Sequence, residues 1–356
     1  MIEPGRYTSG TIALANLSAS IQSLERRCDE GADFDSLVAL SKLLFARGDV
    51  LGRIVDHERA ELAVGEAVSS SPNHAIAFYI QAQVAGRFHR FEEARACLDQ
   101  AFTMGQPRAE IDAERAALLQ ATGAYDDALV LRQRLAEEDP GIHTLGALAS
   151  LLAEMDRWRP AEITYARALE ADQGVSPLPS GQLLFEWGVS AMRRGELDRA
   201  EAIFSELHAV LPGHVPGRGH RAEVALARRQ LDLAMMLIQP LVETSDDPEY
   251  RATYAEILAA MGDSKAAHEA LRAATAYEIL LARRPEAYAD HAAAFFLGVG
   301  NRPQRAVELA VANRKIRDTP RSRRLLDKAL RNARRFSPGN GMSISAGKTA
   351  DMLKAQ

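Results

Sequence analysis

The sequence predicts an all-α protein built from repeated helical hairpins. The strongest observation is a pair of small residues twelve positions apart, such as Gly188 and Ala200, that recurs along the chain. In several copies a turn-forming glycine stands between the two, for example Gly195. The composition agrees, because 47% of the residues are hydrophobic and only 6% are aromatic. Segments rich in Ala, Leu and Val favour close helix packing over broad sheets.

The repeat is regular over most of the chain. The second small residue of each pair is Ala94, Ala128, Ala161, Ala200, Ala234, Ala267 and Ala306. The first is Ala82, Ala116, Ala149, Gly188, Ala222, Ala255 and Ala294. Successive copies are 33, 34 or 39 residues apart. Because a missing side chain lets two helix axes approach to about 8 Å, we expect each pair to mark a crossing of two helices.

Glycine and proline mark the ends of the predicted helices. Gly123, Gly195 and Gly262 lie between the paired small residues, where glycine can leave a helix with positive φ. Pro140 and Pro212 follow the second helix of their units and are expected to stop it, because proline lacks a backbone N–H. Each unit is therefore predicted to be a helix, a tight turn and a second helix.

The stretch AEIDAERAALLQATGAYDDALVLRQRLAEEDP, residues 109–140, resembles a tetratricopeptide repeat. The unit of that family is a 34-residue helical hairpin with small residues at the crossing and a closing proline. The resemblance covers residues 75–319 as seven units, and a weaker unit precedes them at 34–74. It implies a right-handed superhelical solenoid of about eight hairpins, with the first helices lining the concave face. Two insertions, QGVSPLPS and TAYEILLARRPEA, are expected to bend or space the superhelix.

The resemblance also divides the chain, because a solenoid needs polar ends. We expect an N-terminal segment with a capping helix at 1–33, the repeat array at 34–319 and a basic capping helix at 320–336. Residues 337–356 have little apolar content and are expected to be a disordered tail.

The concave groove is the main functional candidate. The family's inward-facing positions correspond to Tyr79, Gln83, Phe185, Val189, Met192, Arg193, His220, Glu223, Tyr288, His291 and Phe295. Exposed aromatic side chains with adaptable Met and Arg are typical of peptide-binding surfaces. The predicted function is a non-catalytic scaffold or adaptor that binds a protein or peptide segment. The alternative at each of these positions is a side chain that packs between units as core.

The C-terminal end of the array is strongly basic. Residues 313–336 contain ten Lys and Arg against two Asp, although the whole chain has a net charge of −5. The basic residues of the predicted capping helix are Arg321, Arg323, Arg324, Lys328, Arg331, Arg334 and Arg335. Such a helix can bind nucleic acid or an acidic surface. It can equally dock on the acidic body or simply keep a terminal cap soluble.

No complete catalytic or cofactor motif is present, so we expect neither an enzyme nor a cofactor. In GNGMSISAGKT five residues separate Gly341 from Gly347, whereas a phosphate-binding loop requires four. GRGHRA, residues 217–222, matches a dinucleotide fingerprint but follows a predicted helix instead of a strand. The least favoured hypothesis is an anion site on a helix N-terminus, formed by Arg218, His220 and Arg221. It is the only hypothesis that suggests an enzyme.

Metal binding and disulfide formation are not predicted either. The nine histidines form no HxH, HxD or HExxH motif. Cys28 and Cys97 are far apart and form no CxxC pair, which suggests buried thiols in a reducing compartment.

The sequence predicts a cytoplasmic protein without a membrane span. The N-terminal stretch MIEPGRYTSGTIALANLSAS has no basic leader and no long apolar run. No stretch approaches the roughly 18 apolar residues that a membrane helix needs. The identity of the partner and the oligomeric state are not predicted.

Overall fold

A computed structural model describes residues 6–335, which form 18 helices and no strand. The helices are α1 Gly10–Gly31, α2 Phe34–Leu51, α3 Ile54–Ser70, α4 Ala75–Arg87, α5 Phe91–Thr103, α6 Arg108–Thr122, α7 Tyr125–Glu138, α8 Ile142–Glu154, α9 Trp158–Ala171, α10 Pro177–Arg194, α11 Leu197–Val210, α12 Val215–Ala227, α13 Leu231–Thr244, α14 Pro248–Met261, α15 Ala266–Arg283, α16 Pro285–Leu297, α17 Pro303–Ile316 and α18 Pro320–Arg335. The predicted fold class, an all-α solenoid of about eight helical hairpins, is confirmed.

The eight hairpins run from α2–α3 to α16–α17, and each pairs two consecutive helices. Helix α1 packs on α2 at one end, and α18 packs on α17 at the other. The weak first unit, predicted at 34–74, is the hairpin of α2 and α3. The tail predicted to be disordered, 337–356, lies outside the described residues.

The paired small residues mark helix crossings in most units. In α9 the crossing residue Ala161 is buried together with Thr164, Tyr165 and Ala168, three, four and seven positions further on. This spacing places all four on one face of the helix. The same pattern of burial recurs in α5, α11, α13 and α17. Both members of the predicted pair are buried in five of the seven units.

In the last two units one member of the predicted pair is wrong. Ala267 and Ala294 are exposed, whereas Ala270 and Ala293 are buried and occupy the crossing positions. The reason is the length of the turns. Four residues separate α14 from α15 and five separate α16 from α17, against two or three in the other units of the array from α4 to α13. A count of twelve residues therefore points to the wrong face of the helix.

The predicted helix ends are confirmed. Gly123, Gly195 and Gly262 end their helices with φ of 95°, 84° and 74°. Helix α7 ends at Glu138 and α11 at Val210, each two residues before the stopping proline. The two insertions mainly lengthen helices, since α10 and α15 have 18 residues each.

The superhelix is wound tightly enough for its successive turns to touch. The Asp246 carboxylate, in the α13–α14 loop, accepts hydrogen bonds from the N–H groups of Ile54 and Val55, both at 2.8 Å. Arg284 reaches back to Glu61 at 2.6 Å. Other contacts between turns join Ser245 to Gly52, Arg317 to Ala121 and Thr8 to Val175. These contacts join parts of the array that are far apart in the sequence, so the concave face is bounded by more than one turn of the superhelix.

Removal of the Asp246 carboxylate should loosen this closure. This carboxylate accepts hydrogen bonds from the first two N–H groups of α3, which have no partner inside the helix. The residue before the helix, Arg53, makes no side-chain cap there. We expect Asp246→Ala to lower the free energy of unfolding by about 1–2 kcal/mol. The amides of Ile54 and Val55 should exchange their hydrogens faster, as measured by hydrogen exchange.

Asp33→Ala is the matched control for this prediction. Asp33 caps α2 from the adjacent position by accepting the N–H of Ser36 at 2.8 Å. Its loss should speed exchange at the start of α2 and leave α3 unchanged. Unchanged exchange at the start of α3 in Asp246→Ala would show that the contact between turns is not formed in solution.

Candidate functional site

Three cavities along the inside of the superhelix share lining residues. Their volumes are about 390, 370 and 370 Å³. Glu114 and Ala117 line both the first and the second. Asp49 and Arg87 line both the second and the third. We call the three together the axial channel.

The first two cavities have a wall of small side chains. Ala113, Ala117 and Ala121 lie four residues apart on α6 and line this part of the channel, since such spacing repeats on one helix face. Two predicted inward-facing residues, Tyr79 and Gln83, lie here. Both donate to the same Glu114 oxygen, at 3.3 and 2.7 Å. Small side chains leave room for the backbone of a bound segment to come close.

The third cavity is lined by charged and polar side chains, and we call it the polar chamber. Its lining comes from α2, α3, α4, α10, α12, α14, α16 and α18 and from the loops between them. Four predicted groove residues, Phe185, His220, Tyr288 and His291, meet in it. Arg321 of the basic helix also lines it. The structure thus brings together residues that are up to 136 positions apart in the sequence.

His291 and Glu249 form an ion pair in the polar chamber. The imidazole Nδ1 lies 3.2 Å from Glu249 Oε2. Burial alone would lower the pKa of His291, but Glu249 and Asp290 outweigh it and raise this pKa to about 9. Burial would likewise raise the pKa of Glu249, but His291 holds it at about 2. Both groups are therefore charged at neutral pH.

His89 and Arg317 join the α4–α5 turn to the loop before α18. Burial and the neighbouring Arg317 lower the pKa of His89 to about 4, so its ring is neutral at pH 7. Its Nδ1–H donates to the Glu286 carbonyl at 2.9 Å, which leaves Nε2 to accept from Arg317 at 3.4 Å. Arg317 also pairs with Asp290 at 3.4 Å.

Two buried polar atoms of the chamber residues are unsatisfied. The Tyr288 side chain is only 3% exposed, and its hydroxyl has no hydrogen-bond partner within the described part of the chain. The same is true of Nδ1 of His57. Buried polar groups are normally hydrogen-bonded to protein, water or a ligand, so the chamber offers places for such a partner.

Three predicted groove residues belong to the core instead. Val189, Tyr288 and Phe295 are 7%, 3% and 4% exposed, so they are not free anchors on an open surface. For Phe295 the reason is the long turn between α16 and α17. Because the repeat positions of α16 are counted back from Ala306, this turn shifts them by one residue, so that Ala294 is exposed and Phe295 is buried.

The remaining groove residues keep some exposure. Phe185 is half-buried, and its ring lies 5.1 Å from that of His214 and 5.6 Å from that of His220. Met192 is half-buried against the core, and Arg193 is exposed. Glu223 lies 3.0 Å from His220; burial would lower the pKa of that imidazole, but Glu223 raises it above its usual value.

The anion site considered at the start of α12 is not formed. Arg218 donates to the Leu237 carbonyl at 2.8 Å, and Arg221 pairs with Glu201 at 2.7 Å. His220 turns towards Glu223 and the polar chamber. Each of the three side chains is bound by a different neighbour, so the structure gives no support to the anion-site hypothesis.

Helix α18 is amphipathic. Ser322, Leu326 and Ala329 are buried against the body. Arg323 pairs with Asp318 at 2.8 Å. All seven predicted basic residues of this helix are exposed: Arg321, Arg323, Arg324, Lys328, Arg331, Arg334 and Arg335.

The sequence does not predict all of the residues that line the channel. Asp49, Arg87 and Arg317 line the channel or its chamber, but no repeat position distinguishes them. Within residues 6–335 no three His, Cys, Asp or Glu side chains are grouped to hold a metal ion. No helix in the same range is both long and apolar enough to cross a membrane.

Of the comparisons with known proteins, the one with solved structures finds similar chains. No family model and no curated protein matches the sequence. A chain of the APC/C heterotetramer Cut9–Hcn1 is similar over 83% of this chain and 55% of that one, with 15% identity and a TM-score of 0.51. A tetratricopeptide repeat protein from Parabacteroides merdae matches over 83% and 98%, with 17% identity and a TM-score of 0.44.

Yeast Tom70 is also similar, over 92% of this chain and 68% of that one, with 13% identity and a TM-score of 0.48. The chain spans about half the length of the Cut9–Hcn1 chain that it matches. The hairpin repeat and the similarity to Cut9–Hcn1 define the fold as that of the tetratricopeptide repeat proteins.

Proposed function

We propose that this chain is a non-catalytic scaffold that binds a segment of a partner protein inside the axial channel. The observation that carries the proposal is that the three cavities follow one another along the array and share lining residues from one to the next. Half-buried side chains, including Tyr79, Phe185 and His291, face this space. Concave sites with apolar walls and a few placed polar groups are the usual binding sites of proteins.

The two ends of the channel suit different parts of a ligand. The alanine wall of α6 allows close approach of a backbone, whereas the polar chamber offers charged groups for recognition. The similarity to a chain from the Cut9–Hcn1 assembly supports a role in protein association. A cytoplasmic location, as expected from the sequence, belongs to the same proposal.

A channel-blocking substitution tests this function. Ala117 is half-buried and lines two of the three cavities, so the side chain of Ala117→Trp would fill the space. The probe is a library of random 12-residue peptides displayed on phage and selected on the full-length protein. We expect the selected pool to bind Ala117→Trp at least about tenfold more weakly, a loss of about 1.4 kcal/mol.

Ala96→Trp is the control, because Ala96 is exposed on α5 and lies outside the three cavities. Circular dichroism of both variants checks that the fold survives. If no peptide is selected, or if both variants bind the pool as the unchanged protein does, the channel is not the binding site.

The exposed basic side chains of α18 favour a second candidate, binding of nucleic acid. This interaction would depend on salt, because phosphate contacts release counterions. The test is a titration with a 20-base-pair DNA duplex at 50 and 200 mM salt. This candidate is supported if the affinity falls steeply between these concentrations and is lost in a variant that carries Gln at Arg324, Arg331 and Arg334. Absence of binding at 50 mM salt would exclude it.

A further inference from the structure

The segment before α1 is bonded to the loop between α9 and α10. The Tyr7 hydroxyl donates to the Asp172 carboxylate at 3.0 Å. The N–H of Thr8 donates to the Val175 carbonyl at 2.8 Å. We call residues 6–8 the N-terminal latch, because these bonds tie the segment that enters the first helix to the middle of the array.

The loop that receives the latch is held together by its own hydrogen bonds. Asp172 and Ser180 are buried, and Ser180 Oγ donates to Asp172 Oδ2 at 2.6 Å. The N–H of Gly174 donates to Oδ1 of the same carboxylate at 2.9 Å. The Tyr7 hydroxyl joins this cluster at 2.7 Å from Ser180 Oγ. Because the loop keeps its internal bonds when the latch leaves, the latch can detach without unfolding the loop.

The packing beside the latch is loose among the described residues. A cavity of about 230 Å³ is lined by Arg6 of the latch and by α9, α10 and α11, including Leu169, Trp187 and Ile203. A filled interface would add many dispersion contacts that resist separation. Here the latch is held mainly by hydrogen bonds, which water can replace. The latch is therefore suited to detachment.

Directly after the latch, α1 packs closely on the end of α11 and the loop that follows it. Gly10 is buried, and a Cβ there would lie 2.6 Å from the Val210 carbonyl oxygen. One turn further along α1, Leu14 lies against Gly213, where a Cβ would clash with the Leu14 side chain. The two glycines thus let the helix and the loop touch. The position of the first turn of α1 fixes the position of this loop.

The same loop ends in His214, which connects it to the polar chamber. The His214 ring is buried and lies 5.1 Å from the Phe185 ring. The Phe185 ring lies 5.6 Å from that of His220, and both of these residues line the chamber. His214 Nδ1 also accepts the N–H of Gly217 at 3.0 Å and so caps α12. Displacement of the loop would move the start of α12 and an aromatic wall of the chamber together.

We propose that the N-terminal latch controls this wall of the polar chamber. While the latch is bound, α1 holds the α11–α12 loop in place and His214 stays packed against Phe185. When the latch detaches, the loop loosens and His214 becomes accessible. This coupling does not depend on a ligand in the axial channel, so it goes beyond the proposed function. Any molecule that binds residues 6–8 would act on the chamber from outside the channel.

The test removes the two bonds of the latch. Thr8→Pro deletes the N–H that donates to Val175, and Tyr7→Phe deletes the hydroxyl that lies between Asp172 and Ser180. The double variant, Tyr7→Phe with Thr8→Pro, is expected to release the latch. Thr8→Ala is the matched control, because it keeps the N–H and changes only an exposed side chain.

The probe is diethyl pyrocarbonate, which acylates neutral imidazole rings that it can reach. Burial and the neighbouring His220 lower the pKa of His214 to about 3, so at pH 7 its ring is neutral and protected only by the packing around it. We expect His214 to react at least about tenfold faster in the double variant and within about twofold of the unchanged protein in Thr8→Ala, because the reaction follows local opening. Mass spectrometry of proteolytic peptides measures the rates.

His57 separates release of the latch from general unfolding. It lies on α3, lines another part of the chamber and is 1% exposed, and burial lowers its pKa to about 3 as well. Faster reaction of His214 with an unchanged rate at His57 would support the proposal. Equal acceleration of both would assign the effect to unfolding and overturn it. An unchanged rate at His214 in the double variant, or the same acceleration in Thr8→Ala, would overturn it too.

Discussion

Asp56→Ala is expected to lower the free energy of unfolding by about 3–5 kcal/mol. Asp56 is fully buried at the start of α3 and receives two hydrogen bonds of 2.7 Å from Arg47 of α2. Arg47 is itself only 8% exposed. Truncation of the carboxylate would leave a buried guanidinium without its partner, and that penalty dominates the loss. Urea unfolding monitored by circular dichroism measures it.

The large expected loss depends on the burial of this ion pair. An ion pair on the surface provides the comparison. Asp99 and Arg115 also approach to 2.7 Å, but the Asp99 side chain is 70% exposed. Asp99→Ala should therefore cost less than about 1 kcal/mol. The double variant Arg47→Met with Asp56→Leu should recover most of the loss, because it removes both charges together. If Asp56→Ala lowered the free energy of unfolding as little as Asp99→Ala does, the expectation for the buried pair would be contradicted.

The same ion pair supports the candidate site. It joins α2 to α3 directly behind the polar chamber, whose wall includes Gly48, Asp49 and His57. The Gly48 position is in close contact with the His57 ring, since a Cβ there would lie 2.7 Å from it. A rigid hairpin at this point keeps the chamber wall in place.

The hairpins were predictable because each is specified by residues close together in the sequence. Small residues at crossings, glycines with positive φ and closing prolines act within about 34 positions, and the structure agrees with them over most of the array. The prediction failed at Ala267 and Ala294 because turn length is set locally and differs between units. A period counted from the other units cannot detect the extra residues of a longer turn.

The candidate site was predictable only in part, for a related reason. Phe185, His220 and His291 lie at repeat positions that face inward, so the family pattern places them. Arg321 and Arg87 meet them only because the superhelix closes on itself. That closure depends on contacts such as Asp246 to Ile54, which join residues 192 positions apart. No periodicity within the sequence indicates such pairs.

Gly188→Leu is expected to destabilise the array by roughly 3 kcal/mol, because overpacking a filled core forces strain on its neighbours. A Cβ at Gly188 would lie 2.5 Å from the Phe204 ring, far inside contact distance. Phe204 is 1% exposed and lies four positions after Ala200, on the crossing face of α11. The ring has little room to move, so α10 and α11 must separate. The unfolding midpoint in urea measures the effect.

Gly65→Leu provides the matched control, since it makes the same change inside another helix. Gly65 lies within α3, and nothing is found within 4 Å of the position that its Cβ would take. At this position the substitution should raise the free energy of unfolding by up to about 1 kcal/mol, because leucine favours a helix more than glycine does. Opposite signs at the two positions would locate the cost in the crossing of α10 and α11. A stabilising effect at Gly188 would mean that the two helices do not approach closely there, and the register of the whole hairpin would have to be revised.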